Sequence, residues 1–221
     1  MCPKINPTIR TYDAIHDLYD AETRDFWENF PAATVREFVS RLHGKDVLNL
    51  GSGPGRDSLI LREEGLCVTC IDGSKEMVEM TSRLGFKSIQ ADLRDLDLAE
   101  LYDGIWAYSS LIHLTYDESK ELLEKIHILL RPGGILFLGL IEGEGHETRN
   151  VANSCYTRYF EYYDENKVES LLHGTGMKIV YRDAFRPGNH TYLNYIIKTI
   201  WRNRSVRDHL INENSVRDHH G

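Results

Sequence analysis

Asp46-Val-Leu-Asn-Leu-Gly51-Ser-Gly53-Pro-Gly55-Arg-Asp57, followed by Ile71-Asp72-Gly73-Ser74, is the stretch on which the fold turns. A short apolar run leads into three glycines, and an aspartate closes the next apolar run 21 residues after Gly51. In a parallel sheet that spacing sets a bare backbone turn and a carboxylate at the ends of neighbouring strands. The pair suits a ligand with a charged portion and a ribose, whose two hydroxyls one carboxylate accepts together. A dinucleotide turn reads G-x-G-x-x-G, its third glycine letting helix and strand close beside a pyrophosphate. Here the frame is G-x-G-x-G, Arg56 stands where that third glycine would be, and Pro54 has no N–H to offer. The turn is shaped for a nucleoside that carries a carboxylate and an ammonium group.

Outward from this stretch, strand-like and helical runs alternate. Residues 13–43 read as helical, with Pro31 dividing them in two. Segments 47–50, 68–71, 87–91, 104–108 and 135–141 read as strands, and 57–64, 75–84 and 117–130 as helices. The last of these is expected to start from Asp117 as its N-cap and to stop before Arg131-Pro132-Gly133-Gly134. After a helix over 164–174, runs 178–183 and 192–198 are joined without room for a crossover helix, so they must pair antiparallel. The expectation is an α/β fold, a doubly wound seven-stranded, mostly parallel sheet with a C-terminal antiparallel hairpin. Residues 1–43 form an N-terminal helical cap on this reading, 44–200 the core, and 201–221 an appended tail. In that tail Ser205-Val-Arg-Asp-His209 recurs as Ser215-Val-Arg-Asp-His219.

Composition narrows the partners. A net charge of −8 argues against sequence-independent binding to nucleic acid and for a small-molecule acceptor. No apolar run reaches membrane-spanning length and the N-terminus lacks a secretory pattern, so no membrane association and a cytoplasmic location are expected. Cys67 and Cys70 are separated by two residues in a strand, so their side chains point to opposite faces. They are expected to be buried strand cysteines, and no metal site is expected.

Five segments in register carry a resemblance: Val47-Leu-Asn-Leu-Gly-Ser-Gly-Pro-Gly55, Ile71-Asp-Gly-Ser-Lys-Glu-Met77, Gln90-Ala-Asp92-Leu93, Tyr102-Asp-Gly-Ile-Trp-Ala-Tyr108-Ser-Ser-Leu-Ile-His113-Leu and Leu130-Arg-Pro-Gly-Gly-Ile-Leu-Phe137. Together they resemble the class I S-adenosylmethionine-dependent methyltransferases, whose fold is Rossmann-like, over about residues 10–200. The turns look closest to the small stand-alone enzymes of the tellurite-resistance and ubiquinone-methyltransferase kinds. The resemblance implies S-adenosylmethionine as cofactor and S-adenosylhomocysteine as product. It implies cofactor contacts from Gly51, Ser52 and Gly53, from Asp72, Gly73 and Ser74 at the ribose, and from Met77, Ala91, Asp92 and Leu93 around adenine. Tyr108 and Ser109 fall near the methionine portion, and Tyr12 and Tyr19 of the cap near its carboxylate.

His113 lies just beyond the fourth strand, at the sheet edge where ligands bind, and is the candidate general base. Between the fifth strand and the next helix, 142–163 is too long for a simple connector and carries Arg149, Arg158 and Tyr159. With His113 they are expected to wall an acceptor pocket suited to an aromatic or anionic molecule. The chain lacks the Asn/Asp-Pro-Pro-Tyr segment of many nucleic-acid amino-group methyltransferases and has Ser109-Ser110-Leu111-Ile112 there. A nucleic-acid or protein methyltransferase and a non-catalytic cofactor-binding module are the alternatives, and the chain is expected to be a monomer or a homodimer.

Overall fold

The structure is a computed structural model that describes residues 6–151 and 154–200. The repeated tail, with His209 and His219, lies outside the described residues. The chain opens with helix α1 (Pro7–Glu28), which starts earlier than the apolar periodicity indicates. Asn6 caps it by accepting from the Thr8 N–H at 2.8 Å, and Pro7 occupies the first turn, where a missing N–H costs nothing. Helix α2 (Ala32–Val39) follows Pro31.

Strand β1 (Asp46–Leu50) then begins a run of crossover units with α3 (Arg56–Glu63), β2 (Cys67–Asp72), α4 (Lys75–Arg83), β3 (Lys87–Gln90), β4 (Tyr102–Tyr108), α5 (Tyr116–Leu129) and β5 (Leu130–Ile141). A separate two-stranded sheet, β6 (His146–Asn150) and β7 (Thr157–Glu161), precedes α6 (Glu165–Leu172). Strands β8 (Met177–Phe185) and β9 (Tyr192–Thr199) complete the main sheet, whose order is β3-β2-β1-β4-β5-β9-β8. The first five strands are parallel, and β9 pairs antiparallel with both β5 and β8.

Helices cover both faces of this sheet. Leu122, Leu123 and Ile126 of α5 and Val168 and Leu171 of α6 pack on one face; Val35 and Phe38 of α2 and Leu61 of α3 pack on the other. Trp106 and Phe137, on adjacent strands, stack at 3.8 Å within the second cluster. β1 lies between β2 and β4, so the chain winds outward from it in both directions. A crevice opens at such a reversal, beyond the carboxyl ends of β1 and β4.

Three local expectations are corrected. Thr115, not Asp117, caps α5: its hydroxyl accepts from the Glu118 N–H while the Glu118 carboxylate accepts from the Thr115 N–H, a reciprocal capping box. Cys67 is exposed because it is the first residue of β2, at the strand's N-terminal end, whereas Cys70 is buried against Ser58. Residues 142–163 are largely the β6–β7 hairpin rather than irregular loop. Among the described residues no helix is long and apolar enough to cross a membrane.

Candidate functional site

The turn after β1 is built from backbone. Gly51, Gly53 and Gly55 all have positive φ, and the N–H groups of Gly51 and Ser52 both donate to the Ile71 carbonyl, at 2.8 and 2.9 Å. A side chain on Gly51 would meet the Ser110 Cβ at 2.5 Å, so glycine there is what lets the turn close against the end of β4.

Asp72 joins the two strand ends. Its Oδ2 accepts from the Gly53 N–H at 2.9 Å and its Oδ1 from the Ser74 N–H at 2.8 Å. Burial raises its pKa to about 6, against those two backbone donors, which stabilise the ionised form. A carboxylate has about four lone-pair sites, so two remain for a ligand in the cleft that Asp72 lines.

Gly51, Gly53, Gly73, Met77, Asp92, Leu93, Tyr108 and Ser109 line the same cleft, as do Tyr12 and Tyr19 from α1. The Tyr19 ring lies above Gly53, and the two tyrosine rings meet edge-on at 5.0 Å. Ser109 has φ +54°, the one non-glycine residue with positive φ among those described. Its hydroxyl and those of Ser110 and Tyr108 are buried with no protein partner. Buried polar groups of that kind call for a ligand or water to complete them. The cradle therefore fits a polar nucleoside ligand.

Other expected contacts are placed differently. Ser52 is buried beneath the turn, and the Ala91 N–H holds the Asp72 carbonyl. Neither lines the cleft. The Ser74 hydroxyl donates to Asp13 at 2.7 Å, which ties α4 to α1. Asp92 lines the cleft, but its carboxylate is gripped by Arg94; burial opposes ionisation and the arginine overrides it, leaving the pKa below the ordinary value.

His113 is held at both nitrogens. A carbonyl only accepts, so Nδ1 donates to the Tyr159 carbonyl at 2.7 Å, and Nε2 accepts from the Tyr12 hydroxyl, also at 2.7 Å. Burial lowers the ring pKa to about 4, reinforced by the nearby Arg158 charge against the Tyr159 carbonyl. The ring is neutral at physiological pH and its one free lone pair is engaged. In this geometry Nε2 holds the Tyr12 hydroxyl.

Of the four expected acceptor-wall residues, His113 lines the cleft and Arg158 stands behind it, over the ring of Tyr12. Arg149, directly opposite Arg158 across the hairpin, is paired with Glu147 at 2.6 Å. The Tyr159 hydroxyl bonds Glu161 on the opposite face of the hairpin, so its carbonyl, not its ring, reaches the site.

Sequence reasoning missed Asn6, Thr8 and Ile9, which line the cleft from the start of α1. Asn6-Pro7 was the available signal. It also missed the bidentate pair between Arg56 and Asp20, 2.8 Å at both contacts, which pins α1 to the helix after the glycine turn. Among the described residues no three His, Cys, Asp or Glu groups are arranged to hold a metal.

Residues 47–134 match the family model described as a methyltransferase domain. The cypemycin N-terminal methyltransferase of Streptomyces sp is 30% identical over 117 residues, 49% of this chain and 48% of that protein. A carboxy-S-adenosyl-L-methionine synthase of Vibrio atlanticus (strain LGP32) is 33% identical over 105 residues, 42% of this chain and 43% of that one. The chain thus matches about half the length of these curated relatives. The solved DhpI-SAH complex superposes with a TM-score of 0.76 at 23% identity, covering 90% of this chain and 98% of that one. That likeness establishes the fold, which is the Rossmann-like fold of methyltransferases.

Proposed function

We propose that this chain is an S-adenosylmethionine-dependent methyltransferase of class I that acts on a small-molecule acceptor. The observation that carries the reading is Asp72, which bridges the glycine turn and the turn after β2 and faces a cleft ringed by unpartnered hydroxyls. When bound, S-adenosylmethionine supplies an electrophilic methyl carbon on a sulfonium leaving group. Asp72 accepts the ribose hydroxyls, Met77 and Leu93 pack against the adenine beside Asp92, and Tyr12 and Tyr19 close over the amino-acid end. Helix α1 acts as the cap. The chain's task is to align an acceptor with the methyl carbon in a site that excludes water. The matched methyltransferase-domain segment and the SAH in the structural neighbour support this reading.

The net charge of −8 supports a small acceptor over nucleic acid, as does a relative named carboxy-S-adenosyl-L-methionine synthase. The two tyrosine–aspartate pairs of α1, Tyr12-Asp13 and Tyr19-Asp20, favour the tellurite-resistance and ubiquinone-methyltransferase kind. Calorimetric titration of S-adenosylmethionine and S-adenosylhomocysteine into wild type and Asp72→Ala tests the cofactor. Binding to wild type that drops at least tenfold in the variant is expected; undiminished binding in the variant would refute the assignment. Release of S-adenosylhomocysteine from a pool of small metabolites then identifies acceptors.

A further inference from the structure

The β6–β7 hairpin places two cations where neither helps the other. Arg149 and Arg158 are directly opposite in the register, so their side chains leave the same face, together with Phe160. Both guanidinium groups lie over the Phe160 ring, at 4.6 and 5.4 Å from its centroid. Like charges facing each other across a strand pair destabilise it. Arg149 is compensated by Glu147 and the Tyr162 hydroxyl. Arg158 pairs with no carboxylate among the described residues, and its Nε is shut off from water without an acceptor. An arginine cannot escape such a position by losing its proton. Arg158 is half-buried, with one orphaned N–H and no carboxylate partner among the described residues, so it remains a cation able to take an anion.

The location says which anion. The Arg158 guanidinium lies 5.6 Å over the ring of Tyr12, which lines the cofactor cleft, and Phe160 meets the His113 ring edge-on at 5.0 Å. Arg158 therefore stands behind the Tyr12–His113 pair, on the hairpin side of the cleft rather than beside Asp72. The nearby carboxylates have partners of their own: Asp72 has two backbone donors, Asp13 has Ser74, and Asp20 has Arg56.

We propose that the acceptor is an anion whose carboxylate or phosphoryl oxygens are taken by the Arg158 guanidinium. This rests on the methyltransferase reading for the word acceptor, while the anion site itself does not. A planar guanidinium matches either oxyanion with two parallel hydrogen bonds, so the shared chemistry is an oxyanion, and probes distinguish its source.

The full chain is titrated with acetate and with methylphosphonate, with and without saturating S-adenosylhomocysteine, and its melting temperature is followed at constant ionic strength. A saturable rise with at least one oxyanion is expected in wild type, and none with the neutral esters methyl acetate and dimethyl methylphosphonate. The stronger response assigns carboxylate or phosphoryl. Arg158→Gln should abolish the rise while binding S-adenosylhomocysteine within about twofold of wild type; Arg158→Lys, which keeps the charge and loses the fork, should keep a weakened rise. An equal rise in Arg158→Gln, no saturable response to either oxyanion, or a tenfold loss of S-adenosylhomocysteine affinity in Arg158→Gln overturns the proposal, the last because it gives Arg158 to the cofactor. If wild type fails to bind S-adenosylhomocysteine, the methyltransferase reading fails, and the titration without it still decides on the anion.

Discussion

Asp72 couples ligand binding to protonation. Its carboxyl titrates at about 6 in the free cleft because burial disfavours the charge, whereas ribose hydroxyls need acceptor oxygens that are ionised. Binding should therefore drive off a proton once the pH is below that value, and S-adenosylhomocysteine affinity should fall as pH drops from 7 to 5, by up to about tenfold per unit below 6. Calorimetry in two buffers of different ionisation enthalpy reads the released proton at pH 5.5; no proton release and a flat affinity would contradict the argument. His113 leads to a different expectation. With Nδ1 on the Tyr159 carbonyl and Nε2 on the Tyr12 hydroxyl, the ring orients Tyr12. Tyr12→Phe and His113→Asn should each lower turnover, and the double variant should lose no more than the worse single one, because both remove one interaction. The shape of the pH–rate profile should survive in His113→Asn; loss of one limb would restore the general base expected from the sequence. The motif locates the histidine but says nothing of the tyrosine 101 residues away that occupies its lone pair.

At the scale of elements, α1 is held over the cleft by few but well-directed contacts. Asp20 meets Arg56 in a two-pronged pair that is about three-quarters shielded from water, and Asp13 accepts from Ser74. Asp20→Asn removes the charge attraction and half the fork. It should cost about 1 kcal/mol of closure, read by stopped-flow as S-adenosylhomocysteine release roughly fivefold faster, with the on-rate little changed. An unchanged off-rate would mean that α1 stays closed without the pair. This element also shows where the sequence is legible. The sheet's parallel strands and closing β8–β9 pair could be read from apolar runs and short connections, because burial on both faces leaves continuous apolar segments. The hairpin β6–β7 could not: His146–Asn150 is almost wholly exposed and polar, and its pairing with Thr157–Glu161 comes from register across a turn. That Arg158 rather than the Tyr159 ring lies against Tyr12 follows from that register alone.

For the whole molecule, the same region that shapes the cleft sets the pH dependence of stability. Beneath the glycine turn Asp57 is 5% exposed, its Oδ1 accepting from the Asn49 amide and the Ser58 N–H, both at 2.8 Å. The sequence identified Asp57 only as the start of a helix; that its carboxyl is buried follows from the packing of α3 against β1 and β2, which no local pattern encodes. Burial raises its pKa from 3.8 to about 7, the hydrogen bonds opposing. A carboxyl whose folded pKa is raised favours the folded state while protonated. Its contribution is fully present below about 4, the unfolded value, and is lost as pH rises through about 7. Asp72 acts in the same sense between about 4 and 6. The free protein should therefore be more stable at pH 5 than at pH 8 on account of these two groups, with Asp57 contributing up to about 3 kcal/mol of the difference. Asp57→Asn keeps an oxygen acceptor for both donors and removes the titration. Its melting temperature should change less than that of wild type between pH 5 and pH 8, so the variant gains on wild type toward alkaline pH. Parallel curves for the two proteins would show that Asp57 ionises in the folded state at no cost, and that water reaches it beneath the turn.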